Sequence, residues 1–246
     1  VVVLHAGVLL LMFGQWFVTS YDVEEQMNMS EGESRNYGQD IRSVELALIN
    51  RESDEFEGQD DVVVIPLTRN GKETRFLEEG DINDDQLPFE IEIVDYKKSS
   101  RVVLKKEQDA SPADRGRGMQ FLASDVRGAS GASGSEGDLA SGYFRFRSKA
   151  GEDLGTFLLS QDQLVMRGGR LIDFSTEAVD LGGTEYDAQL RFVRNYKDYT
   201  VKLLDVSKDD YIGTTIPKNY SSRVELVDNE RGTDRELTIW MNNPWR

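Results

Sequence analysis

The most unusual chemical group in this sequence is a single histidine inside its most apolar stretch. His5 lies within VVVLHAGVLLLMFGQWFV, where Gln15 is the other strongly polar side chain. An ionisable residue inside an apolar helix is rare and is by default a candidate for function. A neutral imidazole can ligate haem iron through one nitrogen, or it can form a hydrogen bond with a neighbouring helix. The residues alone leave both roles open.

A second candidate is an acidic cluster with partial calcium-loop spacing. Asp81, Asn83, Asp85 and Glu92 occupy positions 1, 3, 5 and 12 of GDINDDQLPFEIE counted from the first aspartate. Position 6 is Gln86, where an EF-hand loop requires glycine, and a strand pattern follows instead of a helix. The pattern therefore favours an acidic turn before a strand over a calcium site.

A third candidate is DVSKDDY (205–211), which places three carboxylates and Lys208 close together. Paired carboxylates support glycoside hydrolysis when they face each other across a sugar-binding cleft. Adjacent residues at a strand end usually point in different directions into water. A solvated turn is the favoured interpretation, and an acid–base pair is the alternative.

Composition excludes several function classes. Lys and Arg total 29 against 45 Asp and Glu, which gives a net charge of -16, so a nucleic-acid partner is not expected. The absence of cysteine excludes disulfides, thiolate nucleophiles and Cys-ligated zinc. A single histidine in an apolar run also disfavours serine-type triads. We expect no classical active site in this chain.

The apolar opening predicts a transmembrane helix over residues 1–20. Eighteen residues of α-helix span about 27 Å, against roughly 30 Å of bilayer hydrocarbon. The sequence begins with Val, so we expect this helix to be truncated at its start. Trp16, Phe17 and Tyr21 suit the lipid interface, and the first basic residue after the run is Arg35. This predicts that residues after about 20 lie outside the cytoplasm. A cleaved signal peptide and a buried core element are the alternatives.

The remainder predicts a mainly β fold, a large extracytoplasmic β-sandwich or barrel-like domain over 21–246. LPFEIEIVDY (87–96) alternates as a half-buried strand does, and DVVVIPL (61–67) suits a fully covered strand. DIRSVELALIN (40–50) fits a helix or a strand, with its alternation favouring strand. Five further strands are predicted at 143–148, 188–196, 199–206, 222–228 and 236–242.

Two segments interrupt this strand pattern. Residues 108–142 include ASPADRGRG and GASGASGSEGDLASG, and they predict a flexible surface insertion within one β-rich domain. The acidic stretch 52–61 predicts a solvated loop. A weak echo links PFEIEIVDYKKSS with YTVKLLDVSKDD, because both run from a strand to Asp and then to Lys. The echo is too short to establish a repeat.

Two separate stretches carry a resemblance to a known family. One is the apolar HAGVLLL with the QMNMSEGES that follows it. The other lies in 186–246 and contains DYTVKLLDVSKDDYIGTTIPKNYSSRVELVD and RELTIWMNNPWR. In order and spacing these elements resemble the ResB family, also called the CcsB component of System II cytochrome c biogenesis. Residues 100–180 are only loosely similar to that family.

The resemblance implies a multi-pass protein of the plasma or inner membrane, with several helices before this domain and at least one after it. It implies a CcsA/ResC-type partner, with which such proteins transport haem b and present it to apocytochrome c. The family's transmembrane histidine is implicated as an axial haem ligand, and His5 matches that position. Thiol reduction is left to a separate cysteine-bearing protein, which agrees with the lack of cysteine here.

A rival interpretation assigns the chain to another class. In it the protein is a membrane-anchored extracytoplasmic β-domain that acts as a binding, adhesion or sensory module. It requires one anchoring helix and no haem-handling partner. A carbohydrate enzyme based on carboxylates is a more distant alternative, because it requires an aromatic-lined cleft with two facing acids.

Overall fold

The computed structural model describes residues 2–21, 24–51, 61–82, 87, 89–126, 139–162, 164–167, 170–181, 183–228 and 230–243. Several predictions fall outside these ranges. They are the solvated loop over 52–60, the Gly/Ser run over 127–138, and Asn83 and Asp85 of the acidic cluster.

The described residues form mostly strands, with a helix at the start of the chain. The helices are α1 (Val2–Tyr21) and α2 (Arg75–Glu79), and a 3-10 turn covers Gly116–Met119. The strands are β1 (Ser34–Asn50), β2 (Asp61–Pro66), β3 (Thr68–Arg69), β4 (Lys72–Glu73), β5 (Asp81–Ile82), β6 (Phe89–Lys97), β7 (Ser100–Leu104), β8 (Phe121–Asp125), β9 (Ser141–Ser148), β10 (Asp153–Ser160), β11 (Leu164–Arg167), β12 (Arg170–Asp173), β13 (Glu177–Asp180), β14 (Glu185–Asp210), β15 (Pro217–Asp228) and β16 (Thr233–Trp240).

Helix α1 confirms the helical part of the prediction for residues 1–20. It lacks proline, and it presents large apolar side chains to its surroundings along its length, for example Leu4, Leu11 and Phe13. Within the described ranges, no helix combines the length and apolarity that a bilayer crossing requires.

The chain forms two compact units, one of Val1–Asp40 with Arg194–Arg246 and the other of Ile41–Val193. We call them the terminal unit and the central unit. Strands β1 and β14 each contribute residues to both.

In the terminal unit, β14 pairs antiparallel with β15, and β15 pairs with β16. The segment before β1 also joins β14, because Gly32 N–H donates to Leu203 O at 2.8 Å and Leu203 N–H donates to Glu33 O at 3.0 Å. Nearer the helix exit, the Glu25 carboxylate accepts a hydrogen bond from Asn195 Nδ2 at 2.9 Å and contacts Lys197 Nζ at 2.7 Å. These contacts attach the residues that follow α1 to the sheet.

In the central unit, β10, β9, β6 and β5 form an antiparallel sheet in that order, while β13, β14, β1 and β2 lie side by side. The main core of this unit contains interlocking aromatic rings. Phe146 contacts Phe89 and Phe157 edge-on, each with ring centroids 5.8 Å apart. Alternation along β6 buries Phe89 and Ile91, which confirms the half-buried strand predicted at 87–96.

The two segments of the sequence echo share one irregularity. A β-bulge interrupts β6 between Ile93 and Asp95 and β14 between Leu203 and Asp205. In both strands the extra residue comes directly before the aspartate, so the echo corresponds to a common local backbone feature.

Two strand predictions need correction. The strand predicted at 61–67 ends at Pro66. It is not fully covered, because β2 is the edge strand of its sheet and Val64 is 44% exposed. A proline is tolerated on such an edge. The predicted strands at 188–196 and 199–206 are one continuous strand, β14, which also includes the predicted turn at 205–210. Pairing with β15 continues as far as Asp210, so this segment is a strand although its local residues indicated a turn.

The described part of the segment predicted as an insertion, 108–142, contains regular elements. Ala113 is buried, and the 3-10 turn leads into β8, which pairs with β7. Phe121 and Phe174 pack edge-on in a second core of the central unit. Barrel-like closure is absent among the described strands, because each strand order has two different end strands.

A buried ion pair joins the two longest described strands. Arg191 Nε of β14 donates to Glu45 Oε1 of β1 at 2.8 Å, and each side chain is 5% exposed. Burying both charges is costly, and their attraction offsets that cost only while both are present.

We predict that Glu45→Ala lowers the free energy of unfolding by about 3–5 kcal/mol, because Arg191 is left buried and uncompensated. Glu236→Ala, which breaks the exposed pair with Arg223, is the matched control and costs less than about 1 kcal/mol. Urea unfolding followed by circular dichroism measures both. Equal losses in the two variants would contradict the role assigned to burial.

Candidate functional site

The predicted site residue His5 lies on the exposed surface of α1. A helix places residues three and four apart on one face, so Val2, Val8 and Leu9 flank the imidazole. All three are exposed, with Leu9 at 65%. The surface around His5 is therefore apolar and open.

This donor set fits one axial position of a haem iron. An imidazole nitrogen can bind the iron while the flanking aliphatic side chains contact the macrocycle. Among the residues that the structure describes, no three metal-ligating side chains lie together. His5 alone would therefore supply one bond, and a second axial ligand and the remaining pocket walls have to come from other chain segments.

Of the acidic cluster, the structure describes Asp81 and Glu92. Asp81 and Glu92 are register partners in the β5–β6 pair. The Glu92 carboxylate is engaged by two guanidinium groups, with Arg147 Nη2 at 2.5 Å and Arg145 Nη1 at 3.6 Å. A carboxylate that already contacts two arginines is poorly suited to bind a cation.

The carboxylates of 205–211 do not form an acid–base pair either. Lys208 Nζ contacts Asp210 Oδ1 at 2.9 Å, and Asp205 lies opposite Arg223 in the register of β14 and β15. The side chains of this segment are exposed from Asp205 to Tyr211. Water and neighbouring cations therefore keep these acids in an ordinary surface environment.

Sequence reasoning missed a cavity in the central unit. It has a volume of about 310 Å³ and is lined by residues from β1, the β3–β4 hairpin, the end of β6, the start of β9 and β14. These residues are Ile41, Arg42, Val44, Thr68, Asn70, Gly71, Tyr96, Lys98, Ala140 and Phe192. They come from separate segments of the chain, so no local motif could reveal the cavity.

Charge and burial give this cavity a distinct character. Arg42 and Lys98 provide two cations, and Lys98 Nζ also contacts Glu73 Oε1 at 2.8 Å. Burial, and to a lesser degree the Glu73 carboxylate, raises the pKa of the Tyr96 hydroxyl far above its usual range. Tyr96, one of the lining residues, is therefore protonated at neutral pH.

A second feature missed from the sequence is a buried carboxylate, Glu177, at the start of β13. Its Oε1 accepts a hydrogen bond from Arg117 N–H at 3.0 Å, and its Oε2 lies 3.2 Å from Arg117 Nη1. Arg117 also donates to Thr176 O and lies over the Phe174 ring, with Cζ 5.5 Å from the centroid. The arginine thus joins the 3-10 turn to β13.

A glycine makes room for this carboxylate. Gly116 has a φ of 60°, and a Cβ there would lie 2.0 Å from Glu177 Oε1. Close packing against Glu177 therefore accounts for Gly116 in the DRGRG segment. Within the described residues, this cluster offers one buried acid and no facing second acid, which suits a structural contact better than catalysis.

No protein-family model matches the chain, and no curated protein matches it.

Glu177 gives a prediction for the dependence of stability on pH. Burial raises the pKa of this carboxyl, while its hydrogen bond and Coulomb interaction with Arg117 partly oppose the rise. The folded state then holds the proton more tightly than the unfolded state, so the wild type loses stability as pH rises above the ordinary value of 4.5. Relative to Glu177→Gln, the wild type should therefore become less stable as pH rises from about 3.5 to about 6.5.

Thermal unfolding of both proteins at several pH values measures this difference. The exposed substitution Glu236→Gln makes the same charge change and serves as the control. A stability difference between wild type and Glu177→Gln that stays constant over this pH range would refute the raised pKa.

Proposed function

We propose that this chain is part of a ResB-like membrane protein of System II cytochrome c maturation. Together with a CcsA/ResC-type partner, it takes part in transporting haem b and presenting it to apocytochrome c. The observation that carries the proposal is His5, the sole imidazole of the chain, on the exposed apolar surface of α1. The two sequence stretches that resemble the family support it.

The proposal places α1 in the membrane, with residues after about 20 on the extracytoplasmic side. Supporting it is the unusually apolar exposed surface of this helix, which water solvates poorly. Trp16 and Phe17 near the helix exit are the residue types that favour a lipid interface. The contacts of Glu25 attach the chain shortly after this helix to β14.

His5 has a simple role in this proposal. Haem, when bound, supplies the vinyl groups to which cytochrome c becomes attached. The His5 imidazole would hold the iron through one nitrogen, and Val2, Val8 and Leu9 would exclude water from that side of the helix. This chain needs no acid–base residue for that task.

The first test measures haem bound to the full-length protein in complex with its CcsA/ResC-type partner, extracted from membranes with detergent. We expect His5→Ala to lower the haem content and to change the axial-ligand signature in absorption and electron paramagnetic resonance spectra. Added imidazole should restore part of the signature, because a free ligand can occupy the vacated coordination position.

Gln15→Ala is the matched control, because it alters the other strongly polar side chain of the same helix. Its haem spectrum should equal that of the wild type. If His5→Ala leaves the haem content and axial signature unchanged, His5 is not a ligand and the rival binding module is favoured. Recovery of the complex without detergent would contradict the membrane assignment.

The β-rich domain has the charge expected of a docking surface for a basic partner. With a net charge of -16, the chain attracts the basic c-type apocytochromes over the distance that salt permits. We propose apocytochrome c as this partner, with the domain positioning it near the haem site.

The second test is the salt dependence of apocytochrome binding. Raising NaCl from about 50 mM to about 500 mM should weaken binding by about tenfold or more, because the Debye length falls from about 14 Å to about 4 Å. Surface plasmon resonance with the detergent-solubilised complex measures this, and sodium fluoride at equal ionic strength controls for ion type. Salt-insensitive binding would exclude electrostatic docking.

A further inference from the structure

We propose that the cavity of the central unit binds a small organic anion with an apolar body, such as an arylalkyl carboxylate. This site lies within residues 41–193 and is separate from His5, so it does not depend on the haem proposal. Its walls, charge and size each point to this class of ligand.

The walls are held in place by backbone contacts and are therefore formed before a ligand arrives. Gly71 N–H donates to Arg42 O at 2.7 Å, and Leu67 N–H donates to Val44 O at 2.9 Å. Val44 N–H donates in turn to Thr68 Oγ1 at 2.9 Å. These bonds join β1 to the β3–β4 hairpin, so ligand binding does not have to order either element.

The opposite wall is equally constrained. Ala140 N–H donates to Gln161 Oε1 at 2.9 Å, and Gln161 N–H donates back to Ala140 O at 2.9 Å. Tyr96 lies opposite Gly142 in the β6–β9 register. A preformed cavity of this kind is typical of small-molecule sites.

The lining combines apolar side chains with polar groups that favour a negatively charged ligand. Val44 and Ala140 are buried, and Phe192 adds an aromatic ring. Arg42 and Lys98 bring positive charge to a chain whose net charge is -16. Glu73, whose Oε1 lies 2.8 Å from Lys98 Nζ, offsets part of this charge, and the remainder favours an anion over a neutral ligand of the same shape.

Hydroxyl groups add directional contacts. Thr68 Oγ1 accepts the Val44 N–H, so its own proton can be donated to a ligand oxygen. Tyr96 keeps its proton at neutral pH, as described above, and is a second donor. A carboxylate can accept both bonds while its charge contacts a cation.

Size limits the ligand. The cavity volume of about 310 Å³ lies at the lower end of the range found for small-molecule sites. A phenyl ring with a short carboxylate arm is a ligand of the size that such sites bind.

Calorimetric titration of the chain with 3-phenylpropionate tests the proposal, with the uncharged 3-phenylpropionamide as the matched ligand. We expect saturable binding of the carboxylate, about tenfold weaker binding of the amide, and shifts in the nuclear magnetic resonances of Tyr96 and Phe192. Equal affinity for the two ligands, or no saturable binding, would overturn the proposal.

Two protein variants complete the test. Arg42→Gln and Lys98→Gln should each weaken carboxylate binding by about threefold to tenfold, because each removes one cation from the cavity. Lys218→Gln, an exposed change in the terminal unit, should leave binding unaltered. Lys98 is 61% exposed, so its substitution leaves the fold intact even if Arg42→Gln unfolds. Lys98→Gln binding that equals the Lys218→Gln control would refute the site.

Discussion

The buried contact between Glu45 and Arg191 is the constraint on which the rest of the central unit depends. It joins β1 and β14, which between them carry the neighbouring strands β2 and β13. A slip of one residue in a strand turns every side chain to the opposite face. A buried ion pair with defined donor and acceptor atoms adds to this constraint, because a slipped register would leave both charges buried without a partner.

The register of β1 and β14 determines which of their side chains are buried in the main core. Leu46 and Leu48 of β1 are fully buried, and Leu190 of β14 is 2% exposed. The aromatic contacts of Phe146 then link this layer of side chains to β6 and β10. The same placement of β1 positions Arg42 and Val44 beside the β3–β4 hairpin, so the cavity is a consequence of the strand arrangement.

Local pattern was sufficient for part of this fold. The opening helix and the strand at 87–96 followed from apolar length and alternation, because in both the local signal agrees with the final environment. Local pattern failed where pairing between segments far apart in the sequence decides the secondary structure. Asn195 and Asp198 are turn-forming types, yet both lie inside β14. The cavity and the Glu177 contact were out of reach for the same reason, since their residues are far apart along the chain. His5, by contrast, is singled out by residue type alone, while its role as a haem ligand stays a prediction.

The pairing of Arg191 with Glu45 also has a consequence for how the chain folds. The two residues are 146 positions apart, so β14, which lies beside β1 in the sheet, is synthesised long after β1 itself. Contacts of such large sequence separation slow folding, because a long loop must close before they form. Until then β1 can pair with β2 on one edge, but its other edge lacks β14, and an unpaired strand edge is prone to aggregate. Early synthesis is therefore the stage at which this chain most needs protection, by a chaperone or by rapid delivery to its final location.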